Sequence, residues 1–300
     1  MSRIVTMLKK GKRSVEKSIR NCKYNRAARQ TMNEKLEYGL NTNERKEEIV
    51  VSLTSYGERL NHVHMTIRSI FNQTYKPDKV ILYLDSDVSV EDLPTTLTEI
   101  KKYGLEIAVK KENLRSHKKY YYAVQEYPES LIVTIDDDML YPSDLIENLV
   151  RMHEKYPNAV IASRVHEILL DDMGNTMPYR KWKWEVDASE SKPSYTYLAT
   201  GCGGVLYPPK SLAQEMFNVD LIKNLALPAD DIWLKVAEIM NHTPVKMAKG
   251  HMWKRTYEEP SADLIALSNS NVAEDINDKI IKDTLGYLGW SGNKLIGENE

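Results

Sequence analysis

The chain is predicted to fold as an α/β domain, a sheet with helices packed on its faces. Two observations carry this. Between residues 49 and 162, short apolar runs rich in β-branched side chains alternate with helix-length amphipathic stretches. That is the pattern of parallel strands joined by crossover helices. One of those runs, Leu131-Ile-Val-Thr-Ile135, leads straight into Asp136, Asp137 and Asp138. In open α/β sheets, ligands bind outside the carboxyl ends of the strands.

The elements follow in order. Residues 49–54 (Ile-Val-Val-Ser-Leu-Thr) form the first strand, and residues 60–73 a helix with Val63, Ile67, Ile70 and Phe71 inward. Residues 80–84 are the second strand, ending at Asp85-Ser-Asp87, and 90–103 a helix. Residues 105–109 and 116–126 repeat strand and helix before the aspartate strand. A helix over 143–156 and a strand over 159–162 follow. Residues 168–198 break the pattern with a long polar and aromatic stretch, and loops of that length are usually functional or disordered. Then come Gly201, Gly203 and Gly204, a strand at 205–207, a helix opened by Asp230-Asp231, and a last strand at 244–248 leading to His251. A loop from 261 and a helix over 271–285 complete the chain.

At 300 residues the chain is long enough for one large domain or two small ones. Hydrophobic content of 42% and charged content of 28% fit a globular protein. No run has the length of a membrane span, and the first residues lack the apolar core of a signal peptide. Two cysteines, Cys22 and Cys202, make no metal or disulfide framework and suit a reducing, cytoplasmic compartment. The net charge of −2 is unevenly spread: residues 1–30 hold ten Lys/Arg and one Glu. There Ile4, Leu8, Val15, Ile19 and Cys22 fall on one helical stripe beside basic residues. Such a helix suits a peripheral place on an anionic membrane; the alternatives are a partly disordered basic tail or a helix packed on the domain. No basic–aromatic pattern continues into the body, so nucleic acid is not an expected partner.

Three adjacent carboxylates repel one another, and a divalent cation is the usual remedy. In an extended chain Asp136 and Asp138 point the same way and Asp137 the other. The first two can therefore reach one metal; a solvated turn capping the next helix is the plainer alternative. Asp230 and Asp231 offer a base at a helix head, or simply complement the helix N-terminus. Arg115-Ser-His-Lys-Lys119 precedes a helix, where Lys119 is the choice for holding a phosphate.

Taken in order, these motifs resemble a GT-A glycosyltransferase close to family 2 of the nucleotide-sugar-dependent enzymes. The match runs from Ile49 to Leu84, including Ser69-Ile-Phe-Asn-Gln-Thr-Tyr75 and Pro77-Asp-Lys-Val-Ile-Leu-Tyr83, through the aspartates to about residue 256. The acidic pair is Asp-Asp where the family more often has Glu-Asp. The resemblance implies a Rossmann-like mixed sheet flanked by helices, a UDP-sugar donor, and Mn²⁺ or Mg²⁺. It divides the chain into a basic helical segment (1–40), a catalytic domain (41–260) and a helical extension (261–300). It makes Asp138, with Asp136 and a late His251, the metal ligands, and Asp231 the base with Asp230 beside it. It assigns Thr54, Tyr56, Arg59, Asp85, Lys119, Asp136 and Asp137 to the nucleotide. It lines the donor-sugar and acceptor pocket with Gly203 and Gly204. Trp182 and Trp184 either stack on acceptor sugars or face a core as alternate strand residues. The implied reaction is inverting transfer to a glycan or lipid-linked glycan during surface polysaccharide synthesis. The rivals are a nucleotidyltransferase, which lacks a Gly-rich, Lys-containing phosphate loop here, and a non-catalytic glycan-binding protein on the same fold.

Overall fold

A computed structural model describes residues 2–260 and 275–297. Its centre is a seven-stranded mixed sheet with helices on both faces. Strands β1 (Ile49–Thr54), β2 (Lys79–Asp85), β3 (Leu105–Lys110) and β4 (Leu131–Thr134) run parallel. So do β6 (Val160–Ala162) and β10 (Val245–Met247). β9 (Val205–Tyr207) lies antiparallel between β4 and β6, giving the order β10-β6-β9-β4-β1-β2-β3. Two ribbons stand outside it: β5 (Met139–Leu140) with β11 (Tyr257–Glu258), and β7 (Val165–Glu167) with β8 (Tyr197–Ala199).

The central strands are apolar on both faces because both are covered. Val50, Ile81, Tyr83 and Ile132 enter one core; Val51, Leu53, Val80, Leu82 and Val133 enter the other. Helix α2 (Val63–Phe71) buries Val63, Ile67, Ile70 and Phe71 in the second, each worth roughly 1.5–3 kcal/mol when fully buried. Helix α5 (Leu145–Lys155) joins it there, and α4 (Lys118–Glu126) covers β1, β2 and β4 on the opposite side. Helix α7 (Asp230–Met240) is buried along most of its length, packed on β8 of the outer ribbon and on α8 (Ile276–Leu288). The Trp233 indole inside it donates to the Met216 carbonyl at 2.9 Å. A single-turn α6 (Val219–Leu221) and a short α9 (Gly292–Leu295) complete this side.

The helix expected over 90–103 is instead three short pieces, with α3 (Thr95–Thr98) between two 3₁₀ turns. Pro94 forces Leu93 into extended backbone (ψ 143°), which stops the helix before it starts. The expected loop from 261 and the first turn of the 271–285 helix lie outside the described residues. Helix α1 (Ser2–Asn33) packs its second half on the body through Tyr24, against Met65 and Leu140. Val15, Ile19 and Cys22 of the predicted stripe are exposed, and the side chains of Ile4 and Leu8 fall outside those described. Among the described residues no helix is long and apolar enough to cross a membrane.

The sequential strands β1, β2 and β3 run outward in one direction, while β4 takes the other side of β1. The carboxyl ends of β1 and β4 therefore part company and leave a crevice. Thr54 and Ser55 lie on one lip, Asp136 to Asp138 on the other.

Candidate active site

The aspartates divide as the extended backbone requires. Asp137 turns inward, accepting from Ser55 Oγ at 2.6 Å and Arg59 Nη1 at 2.7 Å, while its carbonyl accepts from Thr66 Oγ1. It is a structural anchor, which corrects its assignment to the nucleotide. Asp136 and Asp138 stay partly open, their side chains 31% and 16% exposed. The same Arg59 nitrogen lies 2.9 Å from Asp138. Arg59 thus serves two carboxylates. The Asp136 backbone N–H donates to the Tyr141 hydroxyl, which donates in turn to the Cys202 carbonyl, both at 3.0 Å.

Across the crevice α7 opens with Asp230 and Asp231. Lys119, buried on α4, reaches both sides: its ammonium is 2.7 Å from Asp136 and 3.0 Å from Asp230. It too is committed to carboxylates. Asp231 Oδ1 accepts from the Gly201 N–H at 3.0 Å. A Cβ on Gly201 would come within 2.8 Å of the Lys119 ammonium and 3.3 Å of Asp231 Oδ1, so a side chain here would have to displace that ammonium.

Five carboxylates therefore face two cations. Burial, then the neighbouring Asp137 and Asp136, push Asp138 up to about 8 against the pull of Arg59. Burial and Asp230 push Asp231 up to about 7. Burial works against ionised Asp230 as well, but Lys119 and His117 outweigh it and hold Asp230 below its usual range. The site is short of positive charge, and its two partly open aspartates are hard oxygen donors of the kind Mg²⁺ and Mn²⁺ accept. His251 stands elsewhere, on left-handed backbone (φ 47°), half exposed, with Nδ1 3.7 Å from Asp187. Among the described residues no three His, Cys, Asp or Glu side chains are gathered as a metal-holding group.

On the nucleoside side, Thr54 Oγ1 is used within the sheet, donating to the Tyr83 carbonyl at 2.8 Å. Tyr56 is 39% exposed, with the Arg59 guanidinium 5.6 Å from its ring centre. Asp85 is buried at the end of β2. Its Oδ2 accepts from Lys118 at 2.6 Å, and its Oδ1 is buried without a hydrogen-bond partner. Lys118 and Lys119 thus split between two acidic groups, a division no local pattern marks.

The glycine segment forms the far wall. A Cβ on Gly203 would lie 2.6 Å from Ser163 Oγ, and Gly204 has φ 89°, strained for any other residue. Sequence reading missed Arg164, which ties this wall together. Its Nη1 donates to Thr200 Oγ1 and Cys202 Sγ, its Nη2 to Glu185 at 2.9 Å, and its guanidinium lies 4.5 Å from the Trp253 ring centre. Only a lone arginine after a short strand could have signalled it. The two tryptophans separate. Trp182 is 4% exposed in the core, its indole donating to the Met177 carbonyl. It cannot meet a sugar, which corrects its place in the acceptor pocket: side chains two apart would share a face in a regular strand, but residues 182–184 follow a 3₁₀ turn and hold a single bridge at Lys183, so the two rings part. Trp184 is 43% exposed and stacks on His166, centroids 5.2 Å apart and planes 14° from parallel. Burial and Arg164 hold His166 down at about 4, so that imidazole is neutral.

The model of the family described as glycosyl transferase family 2 matches residues 50–205. No curated protein matches the chain. Among solved structures, a mannosyltransferase from Pyrobaculum calidifontis, PcManGT, in complex with GDP-Man and Mn²⁺, is similar in fold at 14% identity. The TM-score is 0.47, over 94% of this chain and 81% of that one.

Proposed function

From the premise that the chain belongs to glycosyl transferase family 2, and so is a glycosyltransferase, we propose that it transfers a sugar from UDP with inversion at the anomeric carbon. The observation that carries this reading is Lys119, whose ammonium joins Asp136 at the end of β4 to Asp230 at the head of α7. It sets Asp231 opposite the two open aspartates.

Asp85 supports the uracil base. Its buried Oδ1 lacks a donor, and uracil offers an N–H flanked by carbonyl oxygens that suit Lys118. Tyr56, exposed at the lip, offers a face for the ring. Asp136 and Asp138 would hold Mn²⁺ or Mg²⁺. A divalent ion there supplies Lewis-acid stabilisation of the charge that builds on the departing diphosphate.

Asp231 acts on the acceptor. With Oδ1 fixed by the Gly201 N–H, Oδ2 is left to take the proton of the attacking hydroxyl. As that O–H bond breaks, the oxygen bonds the anomeric carbon from the face opposite the diphosphate, which leaves with its bonding electrons. Asp230 stays ionised on Lys119 and keeps that ammonium from quenching the base. Trp184 presents an indole face for a sugar ring. The acceptor is a glycan or lipid-linked glycan of a surface polysaccharide, reached from a membrane face on which α1 rests.

Asp231→Asn tests the assignment. It should bind UDP as wild type and lose transfer by roughly 10²–10⁴-fold, the usual worth of a positioned base. Transfer at the wild-type rate would remove Asp231 from this role, and NMR of the product showing retention would remove the single displacement.

A further inference from the structure

The stretch 168–198 does more than end at the crevice. Its Tyr179 backbone N–H donates to Asp278 Oδ1 of α8 at 2.7 Å, which docks the loop on the C-terminal helices. The Tyr179 ring lies on the other side of the same residue, 5.5 Å from Trp184, and its hydroxyl is raised by burial and by the charge of Asp231. One residue therefore connects the catalytic crevice to a second concavity.

That concavity is a cleft of about 570 Å³ between the loop and α8–α9. Its walls are built rather than accidental. A Cβ on Gly292 would fall on the backbone of Gly174 and Thr176, so α9 approaches the loop as closely as glycine permits. The lining includes the partly buried Trp290 with Asn175 and Ser291. Ser291 Oγ is buried there without a hydrogen-bond partner. Charge is balanced: Arg180 and Lys282 face Asp275 and Asp278. Arg180 and Asp275 pair loosely at 3.6 Å, with side chains 63% and 53% exposed, so both retain hydrogen-bonding capacity.

An aromatic plane beside mixed donors and acceptors, with no net charge, suits a neutral polyhydroxylated ligand better than an anion or a lipid. Resting on the glycosyltransferase reading, we infer that this cleft is a distal subsite for a neutral oligosaccharide. It holds acceptor residues beyond those at the transfer centre.

The experiment follows from Gly286, which lines the cleft and has open space where its Cβ would be. Gly286→Trp adds bulk at a lining position where a Cβ meets nothing within 4 Å, and Trp290→Ala removes the indole. Wild type and both variants are applied to arrayed neutral oligosaccharides and to a matching uronate-bearing set, with calorimetric titration of UDP and Mn²⁺ in parallel. The expected result is retention of neutral oligosaccharides by the wild type, weakened at least about tenfold in both variants, or ~1.4 kcal/mol. Retention equal in the Gly286→Trp variant, preference for the uronate set, or no retention by the wild type would each overturn the subsite. Failure of UDP to bind the wild type would instead strike the UDP-sugar reading of the crevice.

Discussion

The ammonium of Lys119 has two carboxylate partners and almost no access to water. Removing one partner from a buried ion pair leaves a charge uncompensated, at a cost of roughly 3–5 kcal/mol. Lys119→Ala should lower unfolding stability by about that amount in urea denaturation; a loss below about 1 kcal/mol would mean the carboxylates find other cover. The gathering of Asp136, Asp138, Asp230 and Asp231 at one crevice was legible from sequence, because carboxylates at a strand end and a helix head are local patterns. The fate of the cations was not. Lys119 is offered by sequence as a phosphate holder and Arg59 by the resemblance as a nucleotide contact, yet both are paired with aspartates. That depends on distances between segments, which spacing along the chain does not carry. Asp85 shows the reverse: its place at the end of β2 could be read, but its buried, unpartnered oxygen could not.

At the scale of elements, α1 joins two behaviours. Its second half is fixed to the body by Tyr24 and by an ion pair of Arg20 with Glu258 at 3.0 Å. That docking lies against β11 and β5, immediately after the aspartates. Val15 and Ile19 face solvent at 59% and 52% exposure, beside basic residues. On an anionic membrane they would enter the interface and hold the crevice near lipid-borne acceptors. The double variant Val15→Glu, Ile19→Glu should lose most co-sedimentation with phosphatidylglycerol vesicles, whereas undiminished sedimentation would exclude α1 as the anchor. Strand and helix positions from β1 to α5 were legible because period and burial agree there. Two features were not. The direction of β9 is hidden, since a three-residue apolar run reads alike in either orientation. The broken 90–103 segment was marked by Pro94, whose effect on Leu93 outweighs the apolar spacing around it.

Over the whole molecule, the crevice gathers more carboxylates than cations, and burial works against their ionised forms. Asp138 illustrates the sign. Its carboxyl titrates at about 8 when folded and near 4 in an unfolded chain, as ordinary aspartates do. Between those values the folded state binds the extra proton, so the Asp138 contribution to stability declines as pH rises from about 4 to about 8. In metal-free solution the wild type should therefore lose stability relative to Asp138→Asn across that window, measured by urea denaturation at several pH values. A difference that stays flat or grows in the wild type's favour would contradict the charge assignment. Mn²⁺ should flatten the decline by favouring the ionised carboxylate. The same deficit of positive charge underlies the central claim, that the crevice binds a nucleotide diphosphate through a divalent ion on Asp136 and Asp138. Calorimetric titration of UDP tests it most directly, run with Mn²⁺, with EDTA, and with Asp138→Ala. Binding that requires both Mn²⁺ and Asp138 is the predicted result; binding of UDP that is indifferent to both, or no binding under any condition, would contradict it.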